Sequence, residues 1–218
     1  MTNLGDSFAW AFRDPAWPGK MLLQGLITII PIIGWIAMVG WMLLAFENAR
    51  SGKNELPPAG FHLARGIGLF LVFLIYMIVL NVPGEILGAA GAIAAGNSHQ
   101  VLNFGSPLLA LSYLWGFVAS LFLRFLEPAI IVNSYHRGFA GGLDVGKVWR
   151  DATANVSNSI IGGLVIFASS VIGTIGFFCC IGFIFTVPYE NTITAGAASW
   201  FEKQQGAAPA PTAVTPTA

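Results

Sequence analysis

Four apolar stretches, roughly 21–46, 66–95, 107–132 and 157–187, set the limits on what this chain can fold into. Each reaches or exceeds the ~20 residues with which an α-helix crosses ~30 Å of hydrocarbon. Backbone amides find no water in lipid, so a spanning segment is either a helix or part of a closed barrel. The runs are long and lack two-residue alternation, which selects helices. The expected fold is all-α: a polytopic membrane helix bundle of four to six transmembrane helices, best matched by five, with short interfacial helices.

Charged residues make up 9% of the chain, against about 25% in an average soluble domain. Three segments are expected: an interfacial N-terminal segment 1–20, an integral membrane domain 21–203, and an Ala/Pro/Thr tail 204–218 that cannot bury a core. This leaves no room for a sizeable water-soluble catalytic domain. A net charge of zero gives no argument for nucleic acid. The expected partners are the lipid bilayer and either another membrane protein or further copies of this chain.

The first twenty residues lack the basic start and small-residue cleavage site of a signal peptide. They mix Asp6, Arg13 and Asp14 with Phe8, Trp10, Phe12 and Trp17, which suits the headgroup zone. A short helix over 6–13, stopped by Asp14-Pro15, is expected. In the first apolar stretch Pro31 and Gly34 predict a kink. One kinked span is the simplest reading, and two half-helices in a re-entrant hairpin are the alternative.

In the second stretch, Asn81-Val82-Pro83-Gly84 should break or sharply bend the helix. Beyond it Gly84, Gly88, Ala92 and Gly96 recur every fourth residue, a small-residue stripe for close helix packing within the subunit or at a subunit interface. The third stretch is the cleanest span. After it, Asp144 is placed to cap a short amphipathic helix with Val145, Val148, Trp149 and Ala152 on one side, lying on the membrane surface. The last stretch is about 31 residues, or ~46 Å as one helix at ~1.5 Å per residue. That overshoots the bilayer core. Gly173 and Gly176 can open it into a hairpin of helices over 155–172 and 177–201; a tilted single helix is the alternative.

The loops after the first and third stretches carry Arg50, Lys53 and Arg65, and Arg137, Lys147 and Arg150; the loop after the second carries no lysine or arginine. The positive-inside bias therefore expects loops 47–65 and 133–154 on the cytoplasmic side of a cell membrane. A single crossing by the first span would put the N-terminus outside, against the pull of Arg13 and Lys20.

Phe12-Arg13-Asp14-Pro15 followed by Trp17 and Lys20, then Ile30-Pro31-Ile32-Ile33-Gly34, Gly40-Trp41, Arg50, and Gly52 followed by Leu56-Pro57, form an ordered set. This order resembles the uncharacterised prokaryotic multi-pass membrane proteins grouped as domain of unknown function 4013. The likeness is strongest over the first 70 or so residues, and Trp41 stands where the family often has tyrosine. The resemblance implies a membrane helix bundle and supplies no catalytic residue.

Ionisable groups inside membrane segments are costly and raise a functional question. Arg124 and Glu127 sit three apart on one helix face, as a structural ion pair or as part of a solute pathway. Glu85 and Asn81 flank the expected break, where transporters place ion sites; the favoured reading puts the break near the outer interface with Glu85 simply hydrated. Glu190 and Asn191, after Pro188, face either the bundle interior or the cytoplasmic headgroups, and the headgroups are the favoured reading. His62, His99 and His136 are far apart, and Cys179-Cys180 lie adjacent in an apolar run, so neither a metal site nor a cofactor is expected. Walker A, GxSxG and HExxH motifs are absent. The leading expectation is a non-enzymatic accessory or scaffolding membrane protein. The alternative is a small-solute or ion channel or transporter working through Arg124, Glu127, Glu85 and Asn81, and a lipid-modifying enzyme comes third.

Overall fold

The computed structural model describes residues 3–95, 107–178 and 182–206. Among them the chain is helical and contains no strand: α1 (Asp6–Ala9), a 3₁₀ turn (Trp10–Arg13), α2 (Trp17–Thr28), α3 (Ile33–Arg50), α4 (Leu63–Ala95), α5 (Pro107–Leu143), α6 (Val145–Ala154), α7 (Val156–Phe178) and α8 (Phe183–Gly206). Three of these helices, α4, α5 and α7, are long and apolar enough to cross a membrane. The loop 96–106, with Gly96 and His99, the pair Cys179-Cys180, and residues 207–218 of the tail fall outside the described residues.

The first apolar stretch forms two helices. The backbone turns over 29–32, where Ile32 takes φ 63°. Gly34 then lies so close to the Ile27–Thr28 backbone of α2 that a Cβ would collide with it. After α3 the chain returns to the start of α2, and Lys20 Nζ donates to the Leu56 carbonyl at 2.6 Å. The result is a helical hairpin with its ends together, so the reasoning that put the N-terminus opposite loop 47–65 no longer applies. The Ile29–Ile33 tip is exposed and apolar.

The short N-terminal helix forms as the sequence expects, and the structure shows what it touches. Trp10 Nε1 donates to the Thr192 carbonyl, Tyr189 donates to that of Phe8, and Ser7 fills the space at Gly196 of α8. Trp10 and Ala11 are buried in the core with Trp41, Phe46, Ile130 and Phe201.

Helix α4 continues through Pro83 as one helix, so of the break or sharp bend expected there the break does not occur. Proline removes a donor and crowds the preceding turn, but side chains engage the carbonyls nearby. Asn81 Nδ2 donates to Met77 O, Trp115 Nε1 to Leu80 O and Ser112 Oγ to Gly84 O. Two of these donors come from α5, so the helix is held by its neighbour. The small-residue stripe also differs from the expected one. Gly84, Gly88 and Gly91 face α5 at Trp115, Ser112 and Leu109, whereas Ala92 is exposed and Gly96 lies outside the described residues. A four-residue repeat drifts by about 40° per step around a helix of 3.6 residues per turn, so the contact face moves to Gly91.

At Gly138 the α5 backbone takes φ 65° and ψ −156°, a conformation glycine adopts freely. The chain folds back there, bringing Phe139 to Gly68 and Gly142 to Val72 of α4. Asp144 caps α6, accepting from the Lys147 N–H at 3.0 Å. Val148 and Ala152 of α6 are buried, and Trp149 meets Phe122 and Phe125 of α5. The last stretch forms α7 and α8, packed against each other; α7 runs on to Phe178 and α8 starts at Phe183, so Gly173 and Gly176 do not separate them. Gly173 and Gly176 are helical, and they give room to Glu190 and Thr186 of α8.

One end of the bundle gathers the charges. Glu202 on α8 pairs with Arg50 and with His136; Glu47 pairs with Arg65, Asp144 with Arg137 and Asp151 with Lys147. Loops 47–65 and 133–154 thus meet beside the end of α8.

Candidate functional site

Four helices contribute one face each to a single internal space. Trp35, Met38, Val39 and Met42 come from α3, and Phe70, Phe73, Leu74 and Met77 from α4. Ser120, Leu123, Arg124 and Glu127 come from α5, and Val187, Glu190, Asn191 and Thr194 from α8, with Thr28 of α2 at the edge. Each set follows the i, i+3, i+4, i+7 spacing that puts residues on one side of a helix. The cavity they enclose is about 350 Å³, at the lower end of the ~300–1,000 Å³ typical of small-molecule sites.

The walls differ in chemistry. The faces of α3 and α4 are aromatic, aliphatic and methionine. The faces of α5 and α8 carry the polar groups. Arg124 Nη1 donates to Glu127 Oε2 at 2.7 Å, with Glu127 only 8% exposed. Close helix approach positions the pair: Gly163 of α7 rests against the Arg124 carbonyl, where a Cβ would stand 2.7 Å away. Across from them, Asn191 donates to the Val187 carbonyl at 2.9 Å. Glu190 has no hydrogen-bonded or ion-paired partner among the described residues, although the charge of Arg124 reaches it. Gly173 makes its place, since a Cβ there would run into the Glu190 carboxylate. Of its lining, Trp35, Leu74, Met77 and Ser120 are exposed, Trp35 and Met77 by about half at 54% and 52%.

Arg124 and Glu127 are thus brought together at the inner wall. Asn81 and Glu85 are not part of this arrangement: Asn81 is bonded to its own helix at Met77 O, and Glu85 is exposed on α4 beyond the cavity. Glu190 and Asn191 line the cavity, which matches the bundle-interior alternative and not the favoured headgroup placement. Thr28 and Thr194 were not anticipated; a single threonine in an apolar run carries no sequence signal. Of the histidines, His62 contacts the Pro58 carbonyl and His136 contacts Glu202. Among the described residues no three His, Cys, Asp or Glu side chains come together as a metal site would need.

The fold and the site define an all-helical, membrane-type bundle with a partly polar cavity at its centre. The chain matches the family described as protein of unknown function (DUF4013) over residues 23–181, and it belongs to that family. The match reaches well past the first 70 residues where the resemblance is strongest, and it leaves out the Phe12–Lys20 element. No curated protein and no solved structure matches the chain.

Proposed function

We propose that this is a non-enzymatic, multi-pass integral protein of the cell membrane that admits a small solute to the cavity between α3, α4, α5 and α8 and passes it across the bilayer. The observation that carries the reading is the Arg124–Glu127 pair, 2.7 Å apart, on the wall of a cavity that reaches the surface. A charged pair inside a membrane segment is expensive, and a purely structural pair has no need of a cavity beside it. The lipid bilayer is its surrounding partner, and loops 47–65 and 133–154 face the cytoplasm by the positive-inside bias. A scaffolding role expects a dry bundle with its small-residue stripe open to a partner. Gly84, Gly88 and Gly91 are covered by α5 of the same chain, so transport stands ahead of it.

Flux tests this. Liposomes bearing wild-type protein should release a panel of small charged fluorescent solutes faster than protein-free liposomes, for at least one solute. Glu127→Gln should slow that release about ten-fold while the protein stays folded. Equal flux in the two proteins, or no flux above background for any solute, counts against the proposal.

A further inference from the structure

We infer that the solute is a monocationic amphiphile, a lipophilic amine or quaternary ammonium, which enters sideways from the bilayer and sets its charged head beside Glu190. This rests on the transport reading and specifies its substrate.

Charge balance gives the first argument. Two carboxylates, Glu127 and Glu190, face one guanidinium, Arg124, and α2, α3 and α4 add no ionisable group to the lining. Arg124 is already engaged by Glu127 at 2.7 Å. Glu190 is left without a hydrogen-bonded or ion-paired partner among the described residues. An unpaired carboxylate in a low-dielectric space either takes up a proton or gains a positive partner, so a ligand that brings one positive charge favours the ionised form of Glu190 and one that brings a negative charge does not.

The opposite wall gives the second argument. Phe70, Phe73 and Trp35 present ring faces and edges, and Met38, Met42 and Met77 present thioethers. Aromatic faces attract cations, and methionine adapts to ligands of different outline. Such a wall suits an apolar body attached to a soft, weakly hydrated cation, and it suits a small hydrated ion poorly.

The exposed part of the lining gives the third. Of the cavity's lining, Trp35 and Met77 are about half exposed, and Met77 lies within α4, a helix long and apolar enough to cross a membrane. Leu74, Ile75 and Ile78 around it are exposed as well. A cavity exposed at such residues admits a molecule already dissolved in lipid.

Two ions of the same size, shape and surface but opposite charge separate the possibilities. Purified protein in detergent is titrated with tetraphenylphosphonium and with tetraphenylborate by calorimetry, and saturable binding is scored. Wild type should bind tetraphenylphosphonium at least ten-fold more tightly than tetraphenylborate. Glu190→Gln should weaken tetraphenylphosphonium ten-fold or more, Glu190→Asp should retain most of the affinity, and Glu85→Gln should leave it unchanged. Met77→Trp, at a half-exposed position of the lining, should weaken binding with the charges intact. Preferred binding of tetraphenylborate that Met77→Trp weakens would overturn the cationic class and leave the cavity reading standing. Tetraphenylphosphonium binding unaffected by Glu190→Gln would also overturn it. Binding of neither ion overturns this inference, and the transport reading then stands or falls by the flux measurement alone.

Discussion

Asp14 ties three parts of the chain together. Its Oδ1 accepts from the Ala16 N–H, and its Oδ2 accepts from Lys20 Nζ at 2.7 Å and from the Leu56 N–H at 2.8 Å. The N-terminal segment, the start of α2 and the loop after α3 thus share one carboxylate that is 3% exposed. Burial pushes such a group toward neutrality. Here the hydrogen bonds from Lys20, Ala16 and Leu56 and the Lys20 charge outweigh it and hold the carboxyl below its usual range. The sign of the pH dependence follows. A lowered folded-state value contributes stability above the unfolded value of about 4, and that stability is lost as pH falls through the folded value. Asp14→Asn should therefore cost about 2 kcal/mol near neutral pH, the scale of charge-assisted hydrogen bonds to a buried group. The gap in thermal midpoint between wild type and variant, measured in detergent, should close below about pH 4. A gap that stays constant from pH 7 to pH 3 would show that the carboxylate charge has no part in the clamp.

Helices in this bundle meet backbone to backbone, and glycine decides where. At the crossing of α3 and α4, a Cβ on Gly66 would collide with the Ile36 carbonyl and stand 2.7 Å from the Gly40 nitrogen, while one on Gly40 would strike the His62 carbonyl. No flexible side chain can yield there. Gly66→Ala should cost about 2–3 kcal/mol, as overpacking of a close contact does. Gly116→Ala makes the matching control, because nothing stands within 4 Å of its Cβ position and alanine favours a helix by about 0.5–1 kcal/mol. Thermal unfolding in detergent should move down for the first and stay level or move up for the second; equal shifts would mean the crossing is looser than its geometry. The sequence marked some elements clearly and others not at all. Helix α6 was legible because it is amphipathic: the Asp144 cap and the Val148 and Ala152 positions stand out against charged neighbours. The passage of α4 through Pro83 was not, because Trp115 and Ser112, which bond the carbonyls there, lie some 30 residues away in sequence. The cavity was legible only in its charges. Arg124 and Glu127 are visible in any apolar run, but α3 and α4 are apolar around their circumference, so their 3.6-residue period does not mark Met38 or Phe73 as facing inward.

At the scale of the molecule, the α2–α3 hairpin changes which ends of the chain share a side. Read as one kinked crossing, the first stretch separates Arg13 and Lys20 from Arg50, Lys53 and Arg65, and the basic residues then disagree about orientation. In the hairpin, Lys20 reaches Leu56, and the N-terminal segment lies against α8 at Tyr189, Thr192 and Gly196. Arg50 and His136 meet Glu202 near the end of α8. Every lysine and arginine other than Arg124 then lies on a segment tied to the same part of the bundle, and the positive-inside bias becomes self-consistent. Single cysteines at Asn3, Lys53, Arg150 and Lys203, in a chain with Cys179 and Cys180 replaced by serine, report this directly. A membrane-impermeant maleimide applied to sealed vesicles of one orientation should label all four or none, and vesicles of the opposite orientation should give the reverse. Labelling of Asn3 and Lys53 from opposite faces would mean the first stretch crosses once and α2–α3 is not a hairpin in the bilayer. Agreement of all four sites with labelling from the cytoplasmic face would add the absolute orientation.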